Sequence, residues 1–191
     1  MFTIPNLPAS PAQVFHLATP HHMLLKLAWE IGEFEKLLKE APNGIWGAAH
    51  ISYSAFNTAV TAWHCADWAW RAADVELKTV LAERFSFNLK NSDRKNLENF
   101  CDKVASNSRE LHICRQIANG SKHMGAARAD PDIAATVVWQ FVEPGRPVTH
   151  LEVVDGGASQ HVETIFRGAF DYWERLFGDL GYIEGRYVGP D

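Results

Sequence analysis

A chain of 191 residues with 47% hydrophobic and 21% charged residues is long enough to bury one core and too apolar to stay disordered. A net charge of -5 excludes a general electrostatic grip on a nucleic-acid backbone and leaves room only for a local basic cleft. The expectation is a single domain over 1–191, mainly α, built as a helical bundle of four or five helices with a β-hairpin inserted before the C-terminal helix.

In chain order, residues 1–19 contain Pro5, Pro8 and Pro11 and read as an extended N-terminal arm. Thr19 followed by Pro20 is the signature of a capped helix start, and Leu24, Leu27, Ile31, Phe34 and Leu38 continue it at helical spacing. "PNG" at 42–44 ends that helix. Residues 46–73 then predict a long, nearly apolar central helix holding four of the seven tryptophans. These tryptophans read first as core and second as walls of a pocket or oligomer interface.

"VELKTVLAERF" predicts a third helix. Ser92 and Asp93 then open a long fourth one, with Leu97, Phe100, Cys101, Val104, Leu111 and Cys114 on one side, running toward His123. "ATVVWQFV" and "VTHLEVVD" flank Pro144-Gly145, which suits a type II turn, so 134–155 predicts a β-hairpin. "DGGASQ" reads as a hairpin-to-helix turn whose glycine N–H groups could hold an anion. Residues 158–178 predict the last helix, ended by Gly178.

Cys65, Cys101 and Cys114 fall in expected helices without C-x-x-C spacing and read as reduced packing thiols. "MFTIPNLPASPAQ" lacks a charged-then-apolar leader, and no run approaches a membrane span. The expected setting is therefore soluble and cytoplasmic, with no membrane partner and no cofactor.

Two polar stripes stand out. His112, Arg115, Asn119 and His123 fall within about 80° of arc on a straight helix, with Ser108 one turn earlier, whereas Arg109, Glu110 and Gln116 point away and read as solvated. On the apolar central helix, Tyr53, Asn57, His64, Asp67 and Arg71 share one side. Buried polar groups need partners, so the expectation is that the two stripes face each other across a helix interface. Two readings compete: a structural polar layer, and a site in which Asp67 orients His64 for acid-base work. A metal set of His64, Asp67 and His123 is a further alternative, although the Glu-rich pattern of metal-binding bundles is absent.

"ANGSKH", Ala118 to His123, resembles the signature of HEPN domains, helical bundles of which many are metal-independent, dimeric ribonucleases. The resemblance implies His123 as the catalytic His and Asn119 as the adjacent polar residue. Ala118 stands where the signature has Arg, so Arg115, one turn earlier, would have to supply the guanidinium, and without it the member would not cleave. The implied chemistry is attack of a ribose 2'-hydroxyl on the adjacent phosphate. His123 or His64 would move protons, Arg115 would stabilise the transition state, and RNA or a nucleotide would be the ligand of a homodimer. The wider pattern from "NTAVTAWHCADWAW" to "FDYWERLF" also resembles a group of bacterial proteins to which no activity is attached. The competing function class is non-catalytic, a binding or oligomeric assembly protein.

Overall fold

A computed structural model describes residues 17–40, 44–120, 130–143 and 146–183, with side chains of 139–143 and 146–149 left aside. The elements are α1 (Pro20–Glu40), α2 (Ile45–Ala72), α3 (Val75–Arg84), α4 (Asp93–Asn107) and α5 (Arg109–Gly120). After them come β1 (Ile133–Glu143), β2 (Arg146–Asp155), β3 (Ala158–His161) and α6 (Val162–Asp179). The chain is mainly α, with a three-stranded antiparallel sheet before the C-terminal helix. No described helix is long and apolar enough to cross a membrane.

Helix starts follow local chemistry. Thr19 caps α1, its Oγ1 accepting from the His22 N–H at 3.2 Å, and His22 Nδ1 reaches back to accept from the Ala18 N–H at 3.1 Å. Asp74 and Ser92 cap α3 and α4 in the same way. The core forms where α1, α2 and α6 meet. Phe34 meets Phe166 edge-on at 5.3 Å, and the fully buried Trp173 donates its indole N–H to the Ala62 carbonyl at 2.8 Å. Trp70 of α2, also fully buried, packs on Phe87 and Phe100 and donates to Asp93 at 3.0 Å.

Three expectations are corrected and one is extended. The long fourth helix is two, because Ser108 takes an extended conformation (φ -139, ψ 118) and ends α4. The expected hairpin is present as β1 and β2, and β3 adds a third strand to it. Gly156 and Gly157, with φ +56 and +87, make the tight turn between β2 and β3 that only glycine adopts without strain. The last helix therefore starts at Val162 rather than 158. It also passes through Gly178. Gly181, with φ +71, closes it: the Gly181 and Tyr182 N–H groups donate to Gly178 and Phe177, while the Phe177 and Tyr182 rings pack edge-on at 5.7 Å. Residues 1–16, Pro144-Gly145 and "PN" at 42–43 lie outside the described residues.

The sheet docks through one face of β2. Leu151 and Val153 are buried against the helices, and Val137 and Ala135 of β1 are their register partners on that face. Ala135 and Val137 nevertheless remain exposed, so this side of the sheet stands off from the bundle.

Candidate functional site

The break at Ser108 sets the direction of α5. The Ser108 hydroxyl accepts from the buried Leu111 N–H at 3.2 Å and donates to Glu110 at 2.8 Å, so it is an N-cap rather than a member of the polar stripe. The first turns of α5 then tie the base of the sheet to the bundle. Arg109 pairs through Nε with Asp155 at 2.8 Å, makes a second contact with the same carboxylate through Nη2, and reaches Asp130 at 3.5 Å. His112 Nε2 lies 2.9 Å from Asp130, and the Gln116 side-chain carbonyl accepts from the Asp130 N–H at 3.2 Å. Arg109 and Gln116 are thus engaged, contrary to the expectation that they only face solvent, and His112 turns toward the sheet instead of α2.

The electrostatics follow the contacts. The Asp132 backbone N–H, and after it His112, hold Asp130 below the usual carboxylate range, and Arg109 does the same for Asp155. Opposite charges meeting at the root of a hairpin fix its orientation on α5.

Farther along α5, Arg115 leaves the sheet side. Its guanidinium lies over the Trp63 ring of α2 at 5.1 Å and pairs with Asp102 of α4 at 2.7 Å. Asp67 of α2 and Arg115 both act on the Cys101 thiol, which burial above all pushes up to about 12. Arg115 therefore meets α2 at Trp63, and the ion partner it takes is Asp102 on α4. Burial likewise raises the Cys65 and Cys114 thiols, far from the reactive thiolate range.

The remaining members scatter. Tyr53, Asn57 and Arg71 are exposed, and His64, Asp67 and Asn119 are half-buried. The helix includes Gly120, and His123 lies outside the described residues. Among the described residues no group of three His, Cys, Asp or Glu side chains could hold a metal, and the alternative set of His64, Asp67 and His123 includes a residue outside them.

The feature that polar motifs do not reveal is an apolar cleft of about 250 Å³. Ser52, Ala55 and Phe56 of α2 form one wall and Ala135, Val137 and Leu151 of the sheet another, with Ile117 and Val162 closing the ends. Ser52, Thr136 and Glu152 also line it. Ser52 donates to the Ala48 carbonyl at 2.8 Å, and the Ser159 hydroxyl donates to Glu152. The sequence signal for it was slight. Small residues at 52 and 55 keep α2 thin just where the sheet crosses it, and the exposure of Val137 marks the opening. Compared with known proteins, the chain matches no family model, no curated protein and no solved structure.

Proposed function

We propose that this chain is a non-catalytic binding protein that takes a small, largely apolar molecule in the cleft between α2, α5 and the sheet. The carrying observation is the cleft itself: apolar walls from separate elements, a few polar groups at the margin, and an opening to solvent. The polar groups read as catalytic support a structural role better, because Arg115 is held by Asp102 and Trp63, and His112 by Asp130. A titration with the neutral dye Nile red tests the reading. Wild type is expected to bind with a fluorescence rise, and Ala135→Phe, which fills the cleft from an exposed strand position, to lose it at an unchanged melting temperature. Absence of binding, or equal binding in the variant, overturns it.

A second reading, an RNA- or nucleotide-directed site resembling HEPN proteins, draws support from Arg115 lying over Trp63 at the junction of α2, α4 and α5. Cleavage of single-stranded RNA by wild type, abolished in His123→Ala and Arg115→Ala, is its expected result. Equal cleavage in the variants, or none in wild type, ends it.

A further inference from the structure

β1 is an edge strand of eleven residues that, among the described residues, pairs only with β2. Exposed edges are normally blunted by lysine, proline, shortness or a bulge, because their outward N–H and C=O groups accept any other strand. β1 has none of these over most of its length. Residues 133–142 carry no charge and no proline, and the register slips only at the far end, between Phe141 and Glu143. The opposite edge, β3, is four residues long. Four consecutive residues of β1, Ala134 to Val137, are exposed.

We infer that β1 pairs antiparallel with β1 of a second copy of this chain about a two-fold axis, joining the two sheets into one. What covers such an edge must be a strand, since only a strand meets alternating backbone donors and acceptors. The second copy brings one with the matching character. Within 133–142 no charge opposes a like charge, and Asp132 and Glu143 confine the pairing to that segment. The cleft points to the same occupant. It lies open along β1, where Ala135 and Val137 face the helices yet stay exposed, and Tyr53, 68% exposed, stands one turn from Phe56 at the cleft wall. A partner hairpin laid along β1 walls that side of the cleft, which is incomplete in a single chain. This part rests on the cleft reading; the strand pairing itself does not, so failure of dye binding and failure of dimerisation are separate results.

The test is mass by light scattering after size exclusion, over a wide concentration range, for wild type, Ala134→Lys and Val138→Lys. Both positions face away from the helices, and circular dichroism checks that the variants fold. Wild type is expected at twice the chain mass of 21.4 kDa and the lysine variants at the chain mass. Amide hydrogen exchange adds the local readout. The β1 amides that point away from β2 are protected in the dimer and open in the lysine variants. A monomeric wild type at every concentration overturns the inference, whether those amides are open or protected. So does a dimer that both lysine variants retain.

Discussion

Replacing Ser108 by Ala is the most direct probe of how the site is positioned, because this residue turns α5 away from the line of α4. Ser108 is 6% exposed, and its hydroxyl satisfies the Leu111 N–H, which is buried. Loss of an N-cap to Ala costs about 1 kcal/mol, and a buried donor left without a partner moves the value toward the upper end, about 2 kcal/mol. The opposing effect is propensity: a continuous helix through residue 108 would favour Ala over Ser by about 0.5 kcal/mol. It is the smaller effect, and fusing the helices would carry Arg109 away from Asp155. The expected outcome is a loss of about 1.5–2 kcal/mol in urea unfolding followed by far-ultraviolet circular dichroism, with a fall in melting temperature of about 3–8 °C for a chain of this size. Ser108→Gly supplies the decisive comparison. At an N-cap, Gly is better than Ala, so the order is Ser, then Gly, then Ala; in an unbroken helix Ala is best and Gly worst. An Ala variant more stable than wild type, with added helical signal, would refute the reasoning.

Other outcomes follow from the same region. A Cβ added at Gly168 of α6 would lie 2.8 Å from Cγ of Glu110, so Gly168→Ala is expected to lose about 1 kcal/mol despite its better helix propensity. In a Glu110→Ala background the same change should instead stabilise by about 1 kcal/mol, a reversal that a double-mutant cycle reads directly. Acid should loosen the sheet before the helical core. Asp130 and Asp155 are held below the ordinary carboxylate range, so their contribution is present above that range and is lost as the pH falls through their depressed values. Amide exchange at residues 133–138 is expected to accelerate on acidification while α2 and α6 stay protected, and Arg109→Met to bring the onset to higher pH.

The helices were legible where capping and periodicity agree, as at Thr19-Pro20 and Ser92. The break at Ser108 was not, for a specific reason. Phe100 and Val104 of α4 and Leu111 and Cys114 of α5 are buried, and Val104 to Leu111 is seven residues, about two turns. A break that preserves the phase of the apolar stripe leaves no mark in periodicity. β3 escaped because its four residues are all exposed and three are polar, so no apolar alternation announces it; the Gly156-Gly157 pair was the available turn signal.

The candidate site was harder for a related reason. Spacing tells which side chains share a face of one helix, whereas their partners depend on how neighbouring elements are rotated and where the sheet lands. His112 and Arg115 share a stripe, yet the turn before β1 supplies Asp130 to one and α4 supplies Asp102 to the other. Once those charges are paired, the polar stripe reads as what orients the bundle and its sheet. The unpaired surface is the neutral one: an uncharged strand edge beside a cleft lined by Ala55, Phe56, Val137 and Leu151. Such a surface has no motif, because apolar walls drawn from separate elements converge only in three dimensions. Its chemistry is also the one an acidic chain can offer without strong electrostatic attraction, by burying apolar surface and satisfying backbone hydrogen bonds.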